Sequence, residues 1–448
     1  MNKFLVVLSL FFLPASILSA QLSLDDCIEL SINESYKKKA ADAAVESAKS
    51  GRNSALFSFF PSTRFEAGYQ WLKFVPEPEG MEFDIGAILE VEMEPVPFDI
   101  EMPDKSRTMG ITSVMPITPL WSVFNGYKAA SSGYDIAKLQ KELTVEQIKL
   151  EVMNLYFNYF MLEESFGLLT GTGEQLRRYR KQAENFFNAG LVDKRAILKI
   201  DIELAKIDQQ LQIVTGNKNL IKKNIAIFIN REPDTFTLKK IDVTPADLSL
   251  SSAELSSIMT GNRLEFKILE KGTDISKRLE RIAFQPLIPT LAIVGGYSRT
   301  WDSMQGFQPE GTLFIGGNLS WEIGFDWGRN FFDYKKARSE RIKNELESIH
   351  AKKMMELQLV QLENDVSVKY EGIEIAKREV EAASENLRIA EDKYREQLTT
   401  ETELLDASIA YRNAQLKLLS STYEYEVSLN RLALTIGVRY EDITKGGI

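Results

Sequence analysis

The sequence repeats itself, and that repeat limits the possible folds more than any single motif. Ala183-Glu184 with Phe187 and Leu191 matches Ala390-Glu391 with Tyr394 and Leu398 at an offset of 207 (183 to 390). Ile197-Leu198 matches Leu404-Leu405, and Ile225-Ala226 matches Leu432-Ala433, at the same offset. Upstream, Pro61-Ser62-Thr63 followed by Gly68-Tyr69 matches Pro289-Thr290-Leu291 followed by Gly296-Tyr297, now at 228 (61 to 289). Between these blocks Asn125-Gly126-Tyr127 answers Trp327-Gly328-Arg329, and the offset shrinks because the first copy has the longer insertion, Phe74 to Arg107 against Asp302 to Gly311. A fixed internal period sets architecture before motifs are read. Each copy reads helix, strand, loop, strand, very long helix, turn, return helix. The first structural repeat is 21–240, with strands at about 62–74 and 107–118 and a tip near 190. The second is 241–448, with strands at about 289–301 and 311–325 and a tip near 398.

The strand segments alternate. Phe65, Ala67, Tyr69 and Trp71 interleave with Arg64, Glu66, Gly68 and Gln70, a period of two with one apolar and one polar face. Leu313, Ile315, Gly317, Leu319, Trp321 and Ile323 interleave with Thr312, Phe314, Gly316, Asn318, Ser320 and Glu322. Leu291, Ile293 and Tyr297, and Met109, Ile111, Met115 and Ile117, form the second pair. All five tryptophans, Trp71, Trp121, Trp301, Trp321 and Trp327, lie in these segments or at their ends, as expected of the aromatic girdles of a transmembrane barrel. The alternative is a soluble sandwich sheet with an aromatic core, which leaves the flanking helices no obvious way to attach. Four strands cannot close a barrel, the smallest having about eight. Open edges in lipid leave unpaired amides at several kcal/mol each. Closure by sister copies is expected, and three chains make twelve strands.

No proline occurs from Leu120 to Glu232 or from Glu310 to the C-terminus, and apolar residues there fall at helical spacing. Leu359, Leu362, Val366, Tyr370, Ile373, Ala376, Val380, Ala383, Leu387, Ala390 and Tyr394 advance in steps of three and four, which is coiled-coil spacing. Trp327 to Glu396 as one helix is ~105 Å long at 1.5 Å per residue, and Ser122 to Ala189 is nearly as long. Ala376, Ala382, Ala383 and Ala390 permit close helix approach. Packed side by side, such hairpins form a hollow cylinder; the alternative is a long solvated coiled coil.

Met1-Asn2-Lys3, an apolar run from Phe4 to Leu18 and the exit Ser19-Ala20-Gln21 read as a signal peptide over 1–20. No later run reaches the ~18 apolar residues of a membrane-spanning helix. The one cysteine, Cys27, excludes an internal disulfide, and Leu24-Asp25-Asp26 before it do not suit lipid attachment, so a buried inert thiol is expected. A formal charge of -10, from 64 acidic and 54 basic residues, argues against nucleic acid as a partner.

Leu22-Ser23-Leu24-Asp25-Asp26-Cys27-Ile28-Glu29-Leu30-Ser31, Phe59-Phe60-Pro61-Ser62, Phe187-Asn188-Ala189-Gly190-Leu191-Val192 and Tyr394 to Ala407 resemble, in order, the opening helix, the first strand entry and the two hairpin tips of the TolC-like outer-membrane efflux protein family. The likeness runs from the expected mature N-terminus to about Gly437 and is carried by order, duplication and spacing rather than by one motif. It implies a mainly α fold with a membrane β-barrel portion: four strands per chain, a homotrimer with a twelve-stranded barrel in outer-membrane lipid, and an α-helical tunnel in the periplasm. It implies the exit duct of a tripartite efflux pump or type I secretion system, opened when a periplasmic adaptor (membrane fusion protein) docks and coupled through it to an inner-membrane pump. Under the resemblance, Gly190, Leu191, Val192, Tyr394, Gln397 and Leu398 form the periplasmic tips and adaptor-docking site. Gln397 stands where the family usually has glycine, so the second turn is expected to be made otherwise, through Thr399-Thr400. Tyr394 matches the tyrosine of a lock that some members carry at the closed mouth. Thr399 and Ala196 replace the lock's basic and acidic partners, with Asp193, Lys194, Arg195 and Arg395 close enough to substitute.

Glu403 and Asp406 are three apart and share a helix face. Under three-fold symmetry they form two carboxylate rings at a pore constriction, a cation filter; the alternative is acids favoured at a helix start. Phe74 to Asp104 holds ten acids (Glu77, Glu79, Glu82, Asp84, Glu90, Glu92, Glu94, Asp99, Glu101, Asp104) and no base, and is expected to be a solvated extracellular loop without calcium-loop spacing. The sole histidine, His350, has no metal-ligand or nucleophile motif beside it, and Gly171-Thr172-Gly173 lacks the context of a nucleotide loop, so neither enzyme nor cofactor is expected. The rival reading is a periplasmic coiled-coil adaptor that never enters lipid.

Overall fold

In the computed structural model, which describes residues 20–71, 81–83, 96–98, 105–241, 243, 245, 248, 250–301, 311–438 and 443, one order of elements occurs twice. First come β1 (Ala20–Leu22), α1 (Leu24–Glu34), α2 (Tyr36–Phe57), β2 (Ser62–Trp71), β3 (Met81–Phe83), β4 (Val96–Phe98), β5 (Lys105–Pro116), α3 (Leu120–Asn188) and α4 (Lys194–Ile229). Then follow β6 (Phe236–Leu238), α5 (Ser252–Asn262), α6 (Leu264–Ala283), β7 (Thr290–Trp301), β8 (Thr312–Ser320), α7 (Phe325–Arg395) and α8 (Glu401–Ile436). Local chemistry starts both runs alike. Ser23 and Ser251 each accept the N–H three residues on, while the Asp26 and Glu254 carboxylates accept the cap N–H, two reciprocal capping boxes. At the far ends Asn230 and Gly437 take positive φ, 52° and 77°, and close α4 and α8 with left-handed caps.

The chain separates into two compact units, each drawn from both halves: Met1–Val45, Lys138–Ile268 and Ile349–Ile448 make one, Glu46–Ala137 and Leu269–Ser348 the other. The first is helical and holds three apolar clusters. One gathers Cys27, Ile148, Val152, Tyr156, Phe160, Ile225 and Phe236. There the Tyr156 hydroxyl donates to the Leu22 carbonyl at 3.2 Å and to that of Lys239, tying down β1 and β6, which pair in parallel. That pairing carries no period-two signal, being three residues long, and is not legible in the sequence. A second cluster joins Leu255, Met259, Leu362, Val366, Tyr425 and Leu429. The third lies toward the hairpin turns, around Leu176, Ala183, Ile200, Leu387, Ala390, Tyr394 and Leu404. Burial contributes about 1.5–3 kcal/mol for each large apolar side chain. The three-four stripe of α7 supplies much of it: Leu362, Val366, Ile373, Ala376, Leu387 and Tyr394 are all buried.

The second unit contains one antiparallel sheet in the order β2-β5-β7-β8. Its last strand ends at Ser320 rather than at the expected 325. Gly324 turns the backbone at φ 84°, a conformation that L side chains resist, and α7 begins at Phe325, so the alternation through Trp321 and Ile323 outlasts the ladder. The second, β5, begins at Lys105 and ends at Pro116, against the expected 107–118. Within the acidic insertion β3 pairs antiparallel with β4, Met81 opposite Phe98, and Glu82 lies on β3. The other nine acids of the insertion, residues 72–74 of the expected first strand and 1–19 of the expected signal peptide lie outside the described residues.

Candidate functional site

Directly paired residues of an antiparallel ladder point to the same side, so register decides which side chains meet. Phe65 pairs with Ile111, Ile111 with Tyr297 and Tyr297 with Leu313, a rung of four apolar residues crossing the whole sheet. Every odd-numbered residue of the four strands shares that face, including Ala67, Met109, Met115, Leu291, Ile293, Ile315 and Leu319. Among the described residues nothing covers it: Leu313 and Ile315 are each 84% exposed, Leu319 72% and Phe65 62%. Each such side chain gains roughly 1.5–3 kcal/mol when taken out of water. The even face carries Arg64, Glu66, Gln70, Thr108, Thr112, Ser298, Thr312, Asn318 and Ser320, and Arg64 pairs with Glu66 at 3.4 Å. Val114, Ala292, Val294 and Phe314 are apolar exceptions on that side, and Phe314 lies over Gly296, where an added Cβ would stand 3.0 Å from its ring and 2.4 Å from the Ile111 carbonyl oxygen.

The tryptophans fall at both ends of the sheet. Trp71 opposite Lys105 and Trp301 opposite Arg107 mark the end where the two insertions leave. Trp121 in the first turn of α3, Trp321 just after β8 and Trp327 in the first turn of α7 mark the end where the helices begin. Trp121 meets the Phe284 ring edge-on at 6.5 Å, and Trp327 stacks on Phe331 at 5.7 Å. Among the described residues no helix is long and apolar enough to cross a membrane.

The hairpin turns form a second constellation, within the helical unit. At the first, Leu191 N–H donates to the Phe186 carbonyl and Gly190 N–H to that of Phe187, both at 2.9 Å, with Gly190 at φ 75°. At the second, Leu398 N–H donates to Lys393 at 2.8 Å and Gln397 N–H to Tyr394 at 3.1 Å, with Gln397 at φ 61°. Both are the same left-handed helix ending. The expectation that the second turn avoids Gln397 is therefore corrected: Gln397 itself takes the glycine conformation, and Thr400 instead caps α8, accepting the Glu403 N–H at 3.3 Å. Asp193 does the same for α4 through the Arg195 N–H at 3.0 Å.

Between the turns lies a cavity of about 350 Å³ lined by Phe186, Leu191, Val192, Asp193, Tyr394, Gln397, Thr399, Thr400 and Glu401. Leu191 and Leu398 stand exposed at the two apices. Tyr394 is buried with its ring 5.7 Å from Phe186, and its hydroxyl has no hydrogen-bond partner among the described residues. Burial, with the Glu401 charge second, raises its pKa and keeps the phenol neutral.

Of the substitutes expected for the lock, Arg195 and Asp193 pair with each other at 3.0 Å and Arg395 pairs with Asp392 at 3.6 Å, so these three are engaged at home. Beyond the Phe186–Tyr394 ring contact, the polar contacts between the hairpins come from residues to which the sequence patterns assign no role. Lys199 reaches Glu401 at 3.0 Å and Thr402 at 2.7 Å, while Gln175 at 2.9 Å and the Tyr179 hydroxyl both donate to Glu391. Opposite charges at the repeat-related positions 194–199 and 401–406 were the only available signal. Glu403 and Asp406 are exposed on α8, and the Glu403 carboxylate accepts from the Thr399 hydroxyl.

Residues 277–438 match the model of the family described as outer membrane efflux protein. No curated protein sequence matches the chain. Solved structures do. The CmeC outer membrane channel of Campylobacter jejuni superposes with a TM-score of 0.76 at 16% identity, covering 94% of this chain and 88% of that one. The outer membrane protein VceC of Vibrio cholerae gives 0.76 at 15% identity over 93% and 96%. The open state of the MtrE outer membrane channel of Neisseria gonorrhoeae gives 0.72 at 14% identity over 93% and 89%. At these identities the likeness establishes the fold.

Proposed function

We infer that the chain belongs to the outer membrane efflux protein family and serves as the exit duct of a tripartite efflux pump or type I secretion system, placed in the outer membrane and reaching into the periplasm. One observation carries the reading: a sheet with one apolar, uncovered face, tryptophans at both ends and a polar opposite face. Water cannot be the solvent for that face without a large cost, and lipid can. β2 and β8 remain as edges of the four-stranded sheet, and unpaired edge amides cost several kcal/mol each in lipid. Edge-to-edge pairing of three copies gives a twelve-stranded barrel, with the odd face outward, the even face lining the lumen, and Trp71, Trp301 and Trp121, Trp321, Trp327 as its two girdles. The twice-run element order supports two structural repeats, 21–240 and 241–448.

The tips then face the periplasm. Exposed Leu191 and Leu398, with the cavity beside Tyr394, suit an apolar helical hairpin from a periplasmic adaptor that connects the duct to an inner-membrane pump. Glu403 and Asp406 are read as the pore constriction. Planar-bilayer recordings of the Glu403→Ala plus Asp406→Ala channel test that role: cation selectivity and block by multivalent cations are expected to fall, and no change in either removes it. The whole reading is tested by fractionation of the native protein. Recovery as a detergent-dependent trimer from outer membranes is expected; recovery as a water-soluble monomer would favour a periplasmic adaptor instead.

A further inference from the structure

We propose that the insertion end of the sheet's apolar face holds the phosphate of an anionic membrane lipid, an inference that rests on this face being the membrane face. Lys105, Arg107 and Arg299 all have odd numbers on their strands and so emerge on the apolar side. Register gathers them. Arg107 lies opposite Tyr69 and Trp301, Lys105 opposite Trp71, and Arg299 opposite Met109. Neighbours two apart on one strand are about 7 Å apart and diagonal cross-strand neighbours about 7–8 Å, so Arg107 stands beside both Lys105 and Arg299, which lie two rungs apart on either side of it. All three are exposed.

No carboxylate lies on the odd face of the four strands, since Glu66 is on the even face. The far end of the same face, at Thr63, Met115, Leu291 and Leu319, carries no cation either. Tryptophans at both ends suit any bilayer, but cations at one end only suit a leaflet whose headgroups are more negative. A cation among hydrocarbon is costly, which puts this group at headgroup depth.

The chemistry favours phosphate. Arginine presents a planar fork of donors that matches phosphate oxygens, and the Arg299 guanidinium rests over the Trp301 ring at 5.1 Å, which orients it. Lys105 and Arg107 have other interactions as well. A guanidinium has five N–H donors and an ammonium three, so one partner does not exhaust either.

The test uses the full-length protein in detergent with a bis-phosphorylated glucosamine lipid (lipid A) or phosphatidylcholine as probe, bound lipid being counted by native mass spectrometry. Retention of lipid A at least about tenfold above phosphatidylcholine is expected. The Lys105→Gln, Arg107→Gln, Arg299→Gln triple variant is expected to lose that preference while still inserting into planar bilayers and conducting. Excess inorganic phosphate is expected to leave the lipid bound. A conducting variant that keeps lipid A like the parent overturns the proposal, as does a parent stripped by inorganic phosphate. A parent that never inserts overturns the membrane reading, and the site with it.

Discussion

Gln397 holds φ at 61° where its counterpart in the first half, Gly190, sits at 75°. A left-handed backbone costs an L residue roughly 1–2 kcal/mol that glycine does not bear. Gln397→Gly is therefore expected to stabilise the second turn by up to about 1 kcal/mol after glycine's larger unfolded-state entropy is counted. Gly190→Ala is expected to destabilise the first turn by a similar amount. Paired thermal melts of the purified protein should show the two opposite signs, and a drop for Gln397→Gly would contradict the turn geometry. The expectation for Cys27 is simpler. It is fully buried, and burial, with the Asp26 charge second, pushes its thiol up to about 12. Only the thiolate is nucleophilic, so native protein at neutral pH should take up no maleimide, whereas denatured protein should label fully.

At the scale of elements, a turn and the helix start that follows it act together. Asp193 accepts the Arg195 N–H and, secondarily, the Arg195 side chain, and its pKa is lowered by these bonds in that order. A carboxylate depressed by folding contributes stability above its unfolded pKa of ~3.9 and loses it as pH falls through the lower folded value. Amide exchange at Arg195, corrected for intrinsic pH dependence, should therefore accelerate only below about pH 4. Asp193→Asn caps with an amide that does not titrate, so the step should vanish. A step that survives the substitution would place the titrating group elsewhere. The long helices were legible from proline-free stretches and three-four spacing. Their ends were less so, because caps such as Thr400 are ordinary residues until the turn before them is known.

For the whole molecule, the proposed assembly rests on the uncovered sheet face. Ile315 sits mid-strand on that face and Asn318 on the other. A lysine at a lipid-facing midplane position costs about 2–4 kcal/mol, while lumen positions tolerate charge. Ile315→Lys is expected to lower the yield of membrane-inserted trimer sharply and Asn318→Lys to leave it near that of the parent. Equal yields from both would mean that the odd face does not meet lipid. The acidic insertion shows the opposite limit: its composition was plain, but no short-range pattern announced the β3–β4 pairing.

Periodicity specified the helix stripes and the two faces of each strand, because both follow from spacing along the chain; matched residue blocks specified the duplicated order of elements and carried the resemblance to a channel family. Only tertiary structure decided the rest. That Lys105, Arg107 and Arg299 share one end of one face depends on strand register. That Lys199 meets Glu401 depends on how two hairpins pack. Neither is encoded at short range: the partners are about 200 residues apart, and a single step in register would send every side chain to the other face.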